Sequence, residues 1–366
     1  MPRLFLGAIS GTSVDGLDLA LVDVEATTPV IVDAHTVAFP NSMSDALIAL
    51  AAPGTDEVVR LATADAELGT FIGEAINAFL GARTLDPTAI TAIGSHGQTV
   101  RHSPDSQPPF TVQIGDPNRI AELTGIDCVA DFRRRDMAAG GEGAPLVPPF
   151  HDALFRSAST DRVVLNIGGI SNITVLVREQ PVSGFDTGPG NALLDAWIRA
   201  NRNEPFDADG AWAALGKPDA ALMGVLQRDP YLARPPPKST GKEHYHLGFI
   251  ERALGSLSID PANVQATLAA FTACSVSEAV TRWGPESGEV VVCGGGRNNR
   301  DLMARLTREL AGFKVMTSED LGINGDAVEA ALFAWLAHRY LAHLGGNAPS
   351  VTGATGDRVL GVLAKA

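Results

Sequence analysis

Apolar residues along the chain follow two alternating patterns. Short, largely apolar runs at residues 4–9, 17–24, 89–93, 162–167, 173–177 and 289–293 predict strands. Between them, apolar positions recur at helical spacing. Residues 44–80 carry Leu47, Leu50, Val58, Leu61, Leu68, Phe71, Ile72 and Ile76, and Pro53-Gly54 divides them into two predicted helices. Further helices are predicted at 191–200, with Asn191 as N-cap, at 301–310 and at 326–344. In the last, Val328, Leu332, Trp335, Leu336, Tyr340 and Leu344 make one apolar face. Prolines 230, 235, 236 and 237 predict an irregular surface loop over 230–238. Alternating strands and helices predict an α/β protein.

One plan occurs twice. Strand, Gly/Ser/Thr turn, strand at residues 4–22 recurs at residues 163–177, and aligning Gly7 with Gly168 sets the copies 161 residues apart. Such a repeat predicts a duplicated α/β unit, with two lobes facing each other across a cleft. The expected lobes are residues 1–135 with 330–366, and residues 136–329.

Composition narrows the function. The 366 residues leave room for two domains, and 45% hydrophobic with 19% charged residues argues against disorder. A formal net charge of −14 without a long basic run makes nucleic acid and anionic membranes poor partners. Bound phosphate would need backbone N–H groups, a metal ion or a few placed cations. Cys128, Cys274 and Cys293 show neither metal nor disulfide spacing, which favours a reducing cytoplasm. No signal-like segment and no run of about 18 apolar residues is seen, so a soluble protein is expected.

Candidate chemistry gathers at glycine turns. Ser10-Gly11-Thr12-Ser13-Val14-Asp15-Gly16-Leu17-Asp18 offers backbone N–H groups and hydroxyls to an anion. Asp15 and Asp18 would repel phosphate unless Mg²⁺ stood between them; a plain hairpin turn reads the same residues equally well. Asn166, Gly168, Gly169, Ser171 and Asn172 repeat that character, and Gly294-Gly295-Gly296 joins a strand to a helix. Neither a Walker A loop nor a dinucleotide fingerprint is present. Asp186, in a predicted turn, is a candidate general base or a turn cap. His96 and Gln98, in a predicted loop after a strand, suit polar recognition. Arg133, Arg134 and Arg135 form the one dense basic run, suited to an anion or to a solvated turn. Glu329, near a predicted helix N-terminus, suits either chemistry or the helix dipole.

Taken together, residues 11–18, 94–99, 113–116, 131–136, 138–148, 166–172, 184–191, 237–243 and 324–330 resemble the anhydro-N-acetylmuramic acid kinase family, within the acetate and sugar kinase, heat-shock chaperone and actin superfamily. The resemblance runs from about residue 5 to about residue 340. It implies a two-lobed actin-like ATPase fold of duplicated ribonuclease-H-like domains. It implies ATP-dependent opening of the 1,6-anhydro ring of 1,6-anhydro-N-acetylmuramic acid, with phosphorylation of O6, during peptidoglycan recycling. Residues Gly11 to Asp18, Asn166 to Asn172 and Gly294 to Gly296 would then hold ATP, with Mg²⁺ at Asp15 and Asp18. His96, Gln98, Arg133 and Arg135 would line the sugar. Asp186 would activate the attacking water with Glu329 as its partner. A cytoplasmic homodimer is also implied. One departure is Lys242, where the family pattern leads one to expect Arg. The competing expectations are an ordinary sugar or carboxylate kinase and a non-enzymatic nucleotide switch.

Overall fold

The computed structural model describes residues 3–11, 14–26 and 28–366. Its strands in chain order are β1 (Leu4–Ile9), β2 (Gly16–Asp23), β3 (Val30–Ala38), β4 (Ile90–Ser103), β5 (Phe110–Ile114), β6 (Cys128–Ala130), β7 (Arg162–Ile167), β8 (Ile170–Leu176), β9 (Ser183–Pro189), β10 (Gly288–Cys293), β11 (Phe313–Thr317) and β12 (Val362–Ala364). The chain divides into two compact units, Met1–Leu154 with Ala327–Ala366, and Phe155–Asp326. The first boundary lies later than residue 135 because the segment after it is tied into the first unit. The fully buried Asp136 accepts hydrogen bonds from Asn347 Nδ2 and Thr352 Oγ1, both at 2.8 Å. Phe150 packs on Trp335 at 5.7 Å between ring centres.

In the first unit the strands lie in the order β12-β6-β4-β1-β2-β3, with β5 paired to β4. β1, β2 and β3 form an antiparallel meander, and β4 and β6 add in parallel. In the second unit the order is β11-β10-β7-β8-β9. Again three strands form an antiparallel meander and two add in parallel. The same plan therefore occurs in both, as the repeat predicts. The strand ends set a different offset from the glycine alignment. Ile9 and Ile167 end equivalent strands, 158 residues apart, so Gly7 lies inside β1 while Gly168 lies in the turn.

Each sheet has its own core. Leu6, Leu17, Leu19 and Ile93 share one core with Leu68, Ile72 and Ile76 of the helix Glu57–Ala82 in the first unit. Val163, Leu165, Val290 and Val292 bury against Val276, Val280, Leu302 and Leu306 in the second. Full burial of each such aliphatic side chain contributes roughly 1.5–3 kcal/mol. Pro53-Gly54 does separate two helices, Asn41–Leu50 and Glu57–Ala82. No helix among the described residues is long and apolar enough to cross a membrane.

Three local expectations are corrected. Residues 94–99 are not a loop: β4 runs on to Ser103 because β5 pairs with its far half. Asp186 is not in a turn but inside β9, opposite Asn172. The proline-rich segment is an irregular, mostly exposed loop at residues 234–237, as expected, but not at its ends. Pro230–Ala233 is a helical turn capped by the Asp229 side chain, with Pro at its first position, and Tyr231 and Lys238 are buried. Asn191 precedes Ala192–Arg202, yet its side chain makes no capping bond.

Candidate active site

In the first unit, β1 and β4 lie side by side with Gly7 opposite Gly94. Both present bare backbone to the helix Val328–Leu341. A Cβ on Gly7 would run into the Ala330 carbonyl, and one on Gly94 into the Phe333 carbonyl. Only glycine permits that approach, and Ala330, Ala334 and Ala337 keep the helix side equally slim. This seat places Glu329, an exposed residue in the first turn of that helix.

The end of β1 meets a distortion in β4. Gly97, at φ 66°, is where a Cβ would strike the Ile114 carbonyl, and the β1–β4 register slips there. Its carbonyl accepts the Ser10 N–H at 3.2 Å. Ser10 Oγ donates to Gln98 Oε1 at 2.5 Å, and both side chains are buried. Beyond Ser10, Gly11 accepts the Val14 N–H at 3.2 Å. Val14 holds φ 56°, a backbone region that β-branched residues rarely adopt. Thr12 and Ser13 lie outside the described residues. Asp15 is exposed, and Asp18 on β2 accepts the Thr36 hydroxyl at 2.6 Å. Gly16 fits under Val37, while the Leu17 side chain is in the core, fully buried.

His96 has both ring nitrogens engaged. Nδ1 donates to the Gly97 carbonyl at 3.0 Å, which leaves Nε2 to accept from Arg133 Nε at 3.0 Å. Burial, and then the Arg133 cation, push its pKa well below the ordinary histidine range, so the ring is neutral at pH 7. Arg133 also donates to the Gly143 carbonyl at 2.8 Å. Burial lowers its pKa to about 10 against the opposing pull of Glu329 and Asp136, so it stays charged. His96 thus orients a partly buried cation. Arg135, in the last turn of Phe132–Met137, is exposed.

In the second unit, Gly168 and Gly169 form the tight turn between β7 and β8. Their carbonyls accept the N–H groups of Asn191, Gly190 and Ala192 at 2.8–3.0 Å, tying the turn to the start of Ala192–Arg202. Ser171 Oγ donates to the Pro189 carbonyl, and Asn172 lies opposite Asn166. Lys242 lies over the turn: a Cβ on Gly169 would come 2.8 Å from its Cε. Beside it, Gly294 holds φ 76°, where a Cβ would strike the Asn166 side chain. Gly295 and Gly296 follow in a short 3₁₀ turn. Arg297 fastens that turn, donating to the Gly294 carbonyl at 3.0 Å, to both Asp326 oxygens at 2.7 Å and to Glu319 at 2.8 Å. A cavity of about 440 Å³ adjoins, with Asn191, Asp195, Phe206, Asp207 and Gly295 in its wall. Burial raises the Asp195 pKa to about 6, helped by Asp207 and opposed by Arg199 and Lys242.

Asp186 is held from three sides. Its N–H donates to the Lys238 carbonyl at 3.2 Å, and its carbonyl accepts the Tyr231 hydroxyl at 2.6 Å. Its Oδ2 accepts the Thr240 N–H at 3.0 Å. Lys238 Nζ in turn donates to the Leu232 carbonyl at 3.1 Å and lies 4.7 Å from the Tyr231 ring centre. Tyr231, Lys238, Arg297 and Asp195 were not singled out by sequence reasoning. The Asp229-Pro230 helix-start signature was the available signal for the first two.

Among the described residues no three His, Cys, Asp or Glu side chains cluster as a metal cage. Asp15 and Asp18 still fit Mg²⁺, which takes one or two carboxylates and completes its shell with phosphate and water.

Each sheet closes its first hairpin through a glycine-bearing turn, and β9 of the second carries the anchored Asp186 carboxylate. The chain belongs to the anhydro-N-acetylmuramic acid kinase family, whose family model matches residues 3–366. It is 50% identical over 365 residues to the anhydro-N-acetylmuramic acid kinase of Xanthomonas axonopodis pv. citri (strain 306), covering 98% of this chain and 97% of that one. It is 48% identical over 364 residues to that of Pseudomonas paraeruginosa (strain DSM 24068 / PA7), covering 99% of each. Among solved structures, the activator of the 2-hydroxyisocaproyl-CoA dehydratase from Clostridium difficile with bound ADPNP matches at TM-score 0.46 and 13% identity, over 93% of this chain and 97% of that one. The family favours an anhydro-sugar kinase over an ordinary sugar or carboxylate kinase and over a nucleotide switch.

Proposed function

We propose that the chain uses ATP to convert 1,6-anhydro-N-acetylmuramic acid and water into N-acetylmuramic acid 6-phosphate and ADP, in peptidoglycan recycling. The observation that carries this reading is Asp186, whose backbone is bonded to Tyr231 and Lys238 and whose carboxylate accepts the Thr240 N–H. A base for water attack must be held in one geometry. Asp186 takes a proton from water as the water oxygen bonds to the anomeric carbon. The bond from that carbon to O6 breaks, and O6 takes the γ-phosphoryl group while ADP leaves. Glu329 supports the attacking water. Arg133, oriented by His96, offers charge to the acidic sugar.

The Gly168-Gly169 turn offers backbone to ATP phosphates, with Lys242 as a counter-charge, and the Gly11 to Asp18 segment is the corresponding candidate in the first unit. The nucleoside takes the 440 Å³ cavity beside Gly295, where Phe206 offers a ring face. Asp15 and Asp18 would hold Mg²⁺, which would supply positive charge beside the phosphates. We place the reaction in the cytoplasm, where ATP is available. We also take the assembly to be the homodimer implied by the family resemblance, which light scattering checks.

The test is ADP release with ATP, Mg²⁺ and one of three sugars. Release well above the sugar-free rate is expected with 1,6-anhydro-N-acetylmuramic acid and not with N-acetylmuramic acid or glucose. Equal turnover of glucose would point to an ordinary sugar kinase. Hydrolysis indifferent to sugar would point to a nucleotide switch.

A further inference from the structure

Asp229 takes no part in the chemistry proposed above, yet its carboxylate gathers both ends of the segment that holds Asp186. Its side chain is 2% exposed. At the start of residues 229–245, Oδ1 accepts the Tyr231 N–H at 3.1 Å. At the end, Oδ2 accepts the Tyr245 hydroxyl at 2.8 Å and lies 3.0 Å from His244 Nε2. A buried carboxylate is costly unless donors meet it, and here three do. The Tyr245 end is rigid, because that residue is buried in a core shared with Ile250, Val264 and Leu268. Burial, reinforced by the bond to Asp229, pushes the Tyr245 pKa up, so the phenol keeps the proton it donates. The segment closed in this way supplies the Tyr231 hydroxyl, the Lys238 carbonyl and the Thr240 N–H that meet Asp186. Tyr231 joins the two sets, with its N–H on Asp229 and its hydroxyl on the Asp186 carbonyl.

We propose that Asp229 is a positioning residue for the base: it clasps residues 229–245 shut, and the closed segment sets where the Asp186 carboxylate stands. The inference rests on the functional reading above and deepens it. The segment needs a clasp because its middle does not fix its own shape. Residues 234–237 are irregular and mostly exposed, and Pro235, Pro236 and Pro237 have no N–H to donate. Without Asp229, the Tyr231 and Thr240 contacts would hang from a loop tied down at neither end. A displacement of about 1 Å at a reacting group can lower a rate by about 10²-fold. Asp229 acts on the base through Tyr231 and Thr240, so its loss reduces turnover and leaves nucleotide binding in place.

A double-mutant cycle on the full chain, with ATP and 1,6-anhydro-N-acetylmuramic acid, tests the assignment. Asp229→Asn leaves one acceptor oxygen where two ends need holding. It should lower kcat roughly 30-fold with KM for ATP within about twofold. Tyr245→Phe removes one bond of the clasp and keeps the packed ring. It should lower kcat roughly fivefold, which keeps the test alive should Asp229→Asn fail to fold. In an Asp186→Asn background the base is gone, and its placement no longer matters. There either substitution should lower the residual kcat by less than about twofold. Losses that persist in full in that background would make Asp229 a structural residue and overturn the proposal. Unchanged kcat in both single variants would overturn it as well, as would a KM for ATP that rises as far as kcat falls. An Asp186→Asn chain with wild-type turnover would instead overturn the functional reading beneath it.

Discussion

The two units share one strand order yet close their first hairpin differently. In the first, the last pair before the turn is Ile9 with Asp18; in the second it is Ile167 with Ser171. The first loop is long enough to carry hydroxyls and the Asp15 carboxylate, with Asp18 on the strand that follows. The second is little more than Gly168 and Gly169 pulled against the next helix. One turn thus carries side chains suited to a metal or an anion, and the other is bare backbone with Lys242 laid across it. The strands differ as well. Gly7 and Leu165 each stand two residues before the strand end. Gly7 gives up its side chain so that a helix can touch the sheet, whereas Leu165 fills an ordinary aliphatic core. The lesson is that the first unit sets position by contact between backbones, and the second by side-chain volume.

Four substitutions break or sharpen that contrast. The largest effect is expected from Asp186→Asn, which keeps the Thr240 bond but removes the base. Turnover should fall by roughly 10³-fold with ATP affinity within about threefold, as isothermal titration beside a kinetic assay would show. Retained turnover would remove Asp186 from the chemistry. Next, Leu165→Ala should destabilise the chain by about 3 kcal/mol in urea melts, as deletions in packed cores do. Gly7→Ala makes the opposite change in volume and should still destabilise, by roughly 2 kcal/mol, because the helix must lift off β1. It should also lower kcat through Glu329, which Leu165→Ala should not. If alanine is tolerated at residue 7 with full activity, close backbone contact does not set the helix.

The smallest effect is a pH dependence. The folded-state pKa of Asp195 is about 6, above its ordinary value of 3.8, so the native chain holds a proton that the unfolded chain has lost. Stability therefore falls as pH rises from about 4 to about 6, and the penalty stays above that. Asp195→Asn should raise stability at pH 7 by on the order of 1–2 kcal/mol and flatten this slope. Thermal melts across pH 4–8 check it, and an unchanged slope would assign the titration elsewhere.

Short-range features were readable in the chain before its fold. β1, β7 and β10 are largely apolar runs, and the Pro53-Gly54 break and the glycine turns depend on local chemistry alone. What was missed depends on distant partners. β4 runs past Gly97 only because β5 comes back to pair with it. β9, with its Gly-Phe-Asp-Thr-Gly sequence, reads as a turn until β8 supplies a ladder. The setting of Asp186 comes from residues 45 to 54 positions away, in a segment whose prolines masked the buried Tyr231 and Lys238. Leu17 reads as part of an anion turn, but its side chain faces the core. The glycine alignment placed the repeat three residues off because the two loops differ in length.

Water attack at the anomeric carbon is the claim on which the account turns. Running the reaction to completion in ¹⁸O-enriched water, followed at once by mass spectrometry of the sugar phosphate, tests it most directly. The account predicts one heavy oxygen on the anomeric carbon and none in the phosphoryl group. Heavy oxygen in the phosphoryl group, with an unlabelled anomeric carbon, would contradict it.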